Sequence, residues 1–171
     1  MKDNYQASLN HVLQSEGGWS DNPADPGGAT MKGITLSTYQ KWKGNAHISK
    51  DDLKAISDQD VYDLYKQNYW DKIKGDDLPS GVDYMVFDAS VNMGVGRASK
   101  LIQTAAGVPA DGVIGNGTLE AIKNANPTEL MDKFSTEKED FYKSLPTFGT
   151  FGKGWLNRVA QVKTTSESMI A

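Results

Sequence analysis

Glu16-Gly17-Gly18-Trp19, followed by Asn22-Pro23-Ala24-Asp25-Pro26-Gly27-Gly28-Ala29-Thr30-Met31-Lys32-Gly33-Ile34-Thr35, is the stretch on which the reading of this chain turns. Upstream of it, Tyr5, Leu9, Val12 and Leu13 recur at the spacing that puts side chains on one face of an α-helix, and Glu16 continues the series. The two glycines after it supply the permissive backbone that ends a helix, so Glu16 falls in the last turn, beside an apolar stripe and at the negative pole of the helix dipole. Both surroundings disfavour an ionised carboxylate and predict a raised pKa, which suits a general acid that must still hold its proton near neutral pH. The plainer reading of a lone helix-ending glutamate is a side chain that reaches solvent or pairs with a lysine.

The residues after Glu16 favour the first reading. Asp25 before Pro26-Gly27-Gly28 demands a tight turn of special geometry, and a short hairpin there would hold Asp25 and Thr30 near the helix end. One small β element is therefore expected over residues 17–35 in a chain that otherwise reads as helical. Two carboxyls in different environments are what glycoside hydrolysis uses, one giving a proton and the other serving water or a positive sugar centre. Asp25, in a loop rich in backbone N–H groups, suits the ionised role. It equally suits an Asx turn before proline, and Thr30 equally suits an ordinary strand position.

These residues, taken in order, resemble the signature of glycoside hydrolase family 108, whose members are N-acetylmuramidases, lysozymes of the phage endolysin and bacterial secretion type. The order Glu, Asp, Thr is also similar to that of phage-type lysozymes. The resemblance implies a two-lobed lysozyme-like fold, with Glu16 as catalytic acid, Asp25 as second carboxylate and Thr30 as the hydroxyl that orients water. Trp19 stands where the family pattern leads one to expect tyrosine; it keeps an aromatic face for stacking on a sugar and loses a phenolic hydrogen bond.

Composition limits the other chemistries. The 171 residues contain no cysteine and two histidines, His11 and His47, far apart, so a thiol nucleophile, a disulfide framework and a zinc hydrolase site are not expected, and no cofactor is. A net charge of -4 argues against nucleic acid as a partner and against electrostatic attraction to an anionic wall, leaving groove shape, hydrogen bonds and aromatics to hold a glycan. Residues 1–6 open an amphipathic helix without the apolar core of a secretory leader, and no span reaches membrane length. The expectation is synthesis in the bacterial cytoplasm, action on the wall in the periplasm, access by a holin or a secretion apparatus, no membrane insertion and a monomeric state.

Beyond the signature, Leu36–Lys43 reads as a short helix, and Ser49 with Asp52 and Ser57 with Asp60 read as capping boxes that open two more. The second of these carries Val61, Tyr62, Leu64, Tyr65, Asn68, Tyr69 and Trp70, an aromatic stripe that reads as core. Gly75-Asp76-Asp77-Leu78-Pro79-Ser80-Gly81 punctuates the middle of the chain and sets a boundary between a catalytic region, 1–75, and a helical C-terminal lobe, 76–171. The apolar helix from Val82 to Met93 carries Asp88 and Asn92 on one face. Polar groups in so apolar a helix must find partners or face a cleft, so the pair either lines the glycan groove or bonds to itself or a neighbouring helix. The run Phe87-Asp88-Ala89-Ser90-Val91-Asn92-Met93-Gly94 is also recognisable in the family, which favours the groove. Leu101-Ile102-Gln103, Gly107 to Gly115, Thr118 and Ala121-Ile122 resemble the repeat of small peptidoglycan-binding modules, with no linker to make it a tethered domain. A helix opens at Asn126-Pro127, Pro146 to Gly152 reads as a loop, and a last helix runs from about Lys153 to Met169.

The function expected is hydrolysis of the β-1,4 bond between N-acetylmuramic acid and N-acetylglucosamine, in a phage endolysin or in a muramidase of a secretion or wall-remodelling system. A hydrolase that cuts another wall bond and a non-catalytic wall-binding protein are the other classes in view.

Overall fold

The structure, a computed structural model, describes residues 4–23 and 28–170. Its contacts divide the chain into two units, Gln6–Asn68 on one hand and Met1–Tyr5 with Tyr69–Ala171 on the other. The sequence set a boundary at residues 75–76, whereas contacts thin at 68–69, inside a π-helical turn over Lys66–Trp70. The reason is the burial of Trp70, Ile73 and Leu78, which commits the chain to the second unit well before Gly81.

In the unit Gln6–Asn68, α1 (Tyr5–Glu16) ends at Gly17, whose φ of 76° terminates the helix where the sequence placed its end. Three two-residue strands come next, β1 (Trp19–Ser20), β2 (Thr30–Met31) and β3 (Ile34–Thr35), in an antiparallel sheet ordered β1-β2-β3. Trp19 pairs with Met31, Ser20 with Thr30, Thr30 with Thr35 and Met31 with Ile34, so the expected hairpin carries a third strand. Between β2 and β3 stand only Lys32 and Gly33, both at positive φ, 51° and 80°, the two-residue connection whose twist matches that of the strands.

α2 (Leu36–Lys43) has the bounds read from sequence, capped by Thr35 at one end and closed by Gly44 at φ 67°. α3 (Lys50–Lys54) opens on the capping box of Ser49 and Asp52 with both halves made. At α4 (Asp58–Tyr65) Ser57 accepts from the Asp60 amide, but the Asp60 carboxylate serves Tyr39 Oη at 2.9 Å and Lys43 at 3.2 Å. Leu9, Val12, Leu53, Val61, Leu64 and Tyr65 form the core of this unit.

The second unit is helical: a 3₁₀ turn over Gly75–Asp77, then α5 (Val82–Met93), α6 (Val95–Ala106), α7 (Asn116–Asn124), α8 (Pro127–Lys143) and α9 (Phe148–Ser168). Its aromatic centre joins Trp70 and Phe87 edge to face at 5.4 Å, with Tyr5 5.1 and 5.7 Å from them. α5 is buried from Val82 through Ser90, as its apolar sequence requires. α9 begins at Phe148, five residues before the expected start, so the predicted loop from Pro146 shrinks. Gly152 permits this: a methyl on its α-carbon would come 2.5 Å from the Phe148 ring, so glycine there lets an aromatic one turn back lie flat on the helix. Among the described residues, no helix is long and apolar enough to cross a membrane.

Candidate active site

Glu16 leaves the last turn of α1 half-buried, and the residue that meets it is Gly33 of the β2–β3 turn. A methyl group built on the Gly33 α-carbon would lie 3.0 Å from Glu16 Oε2, 3.1 Å from Glu16 Cβ and 2.7 Å from Tyr65 Oη. The acid and the phenol thus converge on one point, which only a residue without a side chain leaves open. Tyr65, at 1 % exposure, donates its hydroxyl proton to the Lys32 carbonyl at 2.6 Å and so ties the turn to α4. Lys32 adds a second tie through its ammonium, 2.8 Å from Asp58, and that bond holds the Asp58 carboxyl below its usual range. From sequence, Tyr65 reads as one aromatic in a core stripe and Gly33 only as part of a motif. The two adjacent residues at positive φ mark a two-residue turn that something must brace, and no local sequence signal names Tyr65 as the brace.

Trp19 and Thr30, both half-buried, lie on the adjoining strands β1 and β2. Lys54 Nζ sits 5.6 Å from the centroid of the Trp19 ring, a cation over an aromatic face. Asp25 lies outside the described residues. Within the same unit a groove of about 470 Å³ runs between α1 and α4, lined by Gln6, Leu9, Asn10, Leu13, Asp58 and Tyr62 among others, and reaches Leu13 one turn before Glu16.

The other predicted pair, Asp88 and Asn92, belongs to the second unit. The Asp88 carboxylate is fully covered: Arg158 Nη2 lies 2.6 Å from Oδ1, Lys138 Nζ 3.3 Å from Oδ2, and Asn92 Nδ2 donates to Oδ2 at 3.1 Å. The mutual bond that the sequence left open is therefore made, and Asp88 further joins α5 to α8 and α9. Burial draws the Lys138 ammonium below its ordinary value, with Asp88 opposing that fall. The phenols of Tyr84 and Tyr142 are pushed up, by burial first and then by the Asp88 charge. Asn92 remains exposed beside this cluster.

In the segment read as peptidoglycan-binding-like, Gln103 is a buried hub. Its Nε2 donates to Asp111 Oδ1 at 2.8 Å and to the Val113 carbonyl at 2.9 Å, and its Oε1 accepts from the Gly112 amide at 3.0 Å. Among the described residues, no three histidine, aspartate or glutamate side chains gather as a metal site would require.

Comparison with known proteins bears on this geometry directly. The model of the family described as Glycosyl hydrolase 108 matches residues 9–94, a span that holds Glu16, Gly33, Tyr65 and α5. A second family model, described as Predicted Peptidoglycan domain, matches residues 97–160, which contain the Gln103 hub. Among solved structures, one described as the structure of Brucella abortus SagA is similar to 99% of this chain and 97% of its own, at 40% identity and a TM-score of 0.90. Comparison with curated proteins gives no match. The chain belongs to the glycosyl hydrolase 108 family, as a lysozyme-like glycoside hydrolase of peptidoglycan with a peptidoglycan-domain segment behind the catalytic one.

Proposed function

We propose that this protein is an N-acetylmuramidase, cutting the β-1,4 bond between N-acetylmuramic acid and N-acetylglucosamine with Glu16 as the general acid. The observation that carries the reading is the packing of the Glu16 side chain against Gly33, beside the hydroxyl of the buried Tyr65. A carboxyl at the negative end of a helix, half removed from water, keeps its proton more readily than a free one and can pass it to the glycosidic oxygen. Thr30 on β2 and Asp25 hold the attacking water on the opposite face of the sugar, and Asp25 enters on the strength of its sequence pattern alone. With water as the nucleophile the anomeric configuration inverts, and the two carboxyls should then stand about 6.5 to 9.5 Å apart. Trp19 offers the aromatic face for a sugar ring. Of the pair on α5, the exposed Asn92 can reach a glycan, while Asp88 acts through the cluster that fixes it.

Phage lysis, with the protein working in the periplasm as an endolysin, is the setting we favour; export by a bacterial secretion or wall-remodelling system is the other. Both are supported by a catalytic and a wall-directed segment on one short chain.

Glu16→Gln tests the reading. The variant should fold and lose at least about 100-fold in turnover on purified peptidoglycan, the scale of a general acid's contribution. Mass spectrometry of the wild-type digest should show new reducing muramic ends; free stem-peptide amines, or an unimpaired Glu16→Gln protein, would overturn it.

A further inference from the structure

Tyr65 lies 33 residues from Lys32 and almost fifty from Glu16, yet its hydroxyl bonds to the turn and faces the same side of Gly33 as the Glu16 carboxyl. A phenol has one proton, and a carbonyl oxygen can only accept, so the 2.6 Å bond to the Lys32 carbonyl fixes where that proton points. Everything else that approaches Oη faces its lone pairs. Glu16 Oε2 and Tyr65 Oη both fall within 3.0 Å of a single point beside Gly33, so the carboxyl and the phenol flank the same bare α-carbon. An acceptor can take a bond from a carboxylic acid and can give none to a carboxylate, and a hydrogen bond available only to the neutral form favours that form. The same bond to the Lys32 carbonyl holds Lys32 and Gly33 in left-handed geometry, which brings the bare α-carbon of Gly33 against the Glu16 side chain.

We propose that Tyr65 is a positioning residue for Glu16: with its proton committed to the Lys32 carbonyl, it braces the β2–β3 turn against the acid and presents only lone pairs to that side. This rests on Glu16 being the general acid. Tyr65 does not touch substrate, and its influence passes through Glu16 and the turn.

Tyr65→Phe keeps the ring and removes the hydroxyl. Hydrolysis of purified peptidoglycan by this variant should show kcat lowered about 10- to 100-fold with KM within about threefold, because general-acid efficiency tracks the protonated fraction and its alignment. The limb of the kcat profile on which activity falls as pH rises should move to lower pH, since the neutral acid has lost its acceptor. A purely structural loss would lower activity at all pH values without moving that limb. Should Tyr65→Phe not fold, carbon-detected NMR titration of Glu16 in the wild type decides: a Glu16 carboxyl titrating above the ordinary glutamate range is expected, and one at or below it overturns the proposal. Glu16→Gln, assayed in parallel, separates the failures. An active Glu16→Gln protein sinks the muramidase reading itself, whereas a dead Glu16→Gln protein beside a Tyr65→Phe protein with wild-type kcat and pH limb sinks only the role of Tyr65.

Discussion

Arg158 Nη2 stands 2.6 Å from Asp88 Oδ1, on a carboxylate without exposed surface whose other oxygen faces Lys138. Two cations from α9 and α8 therefore converge on one anion from α5, and the carboxylate is what makes their burial tolerable. Pulling either cation away leaves Asp88 still paired; removing the anion leaves two like charges facing each other in a medium of low polarisability.

Asp88→Asn should therefore cost about 3 to 5 kcal/mol in urea unfolding, the scale of a broken buried ion pair. Lys138→Met, which keeps the bond to Arg158 and fills similar volume, should cost distinctly less. Equal losses would contradict the central place given to the anion.

Gly75 lies against the Trp70 ring so closely that an added methyl would come 2.3 Å from Cε2 and 2.4 Å from Cδ2. Trp70 is fully buried and holds Asp76 Oδ1 through its indole N–H at 2.8 Å, so the ring has nowhere to go. Gly75→Ala should lower stability by about 1 to 3 kcal/mol, as overpacking does, and thermal melting of the variant reads it directly.

Tyr39 donates to Asp60 and its phenol is pushed up to about 12, by burial first and then by that bond and the Asp60 charge. A folded-state pKa above the unfolded value gives stability that is complete below about pH 10 and lost between about pH 10 and 12. Melting temperatures of Tyr39→Phe should accordingly fall less steeply than those of the wild type across that window. Phenol absorbance measured over the same range should show one tyrosine fewer among the late-titrating groups.

The buried Gln103 side chain unites the Asp111 carboxylate, the Val113 carbonyl and the Gly112 amide of a surface loop in one knot. Gln103→Ala removes those three bonds, at about 0.5 to 1.5 kcal/mol for each. Hydrogen exchange should show Gly112 losing protection while the amides of α5 keep theirs; uniform loss would mean that the knot is not local.

The helices and their ends were legible because their signals are local. Thr35 and Gly44 bracket α2, Ser49 and Asp52 cap each other three residues apart, and Asn126 accepts from the Glu129 amide just ahead of a proline-led α8. The place of Glu16 was legible for the same reason, since a helical stripe and two glycines suffice to put it in a last turn, with Trp19 and Thr30 in the short strands that follow. Legibility stopped where a contact spans tens of residues. Nothing in the neighbourhood of Tyr65 announces a bond to a carbonyl 33 positions earlier, and nothing near Asp88 announces partners 50 and 70 positions later. The early start of α9 belongs to the same class, since two glycines read as a loop until Phe148 is seen lying on Gly152. Capping, turn geometry and periodicity are settled by the backbone within one or two turns, so residue order alone determined most of the elements and the place of Glu16 at a helix end. What surrounds the acid and neutralises the buried carboxylate depends on which elements pack together, and the tertiary structure alone decided that.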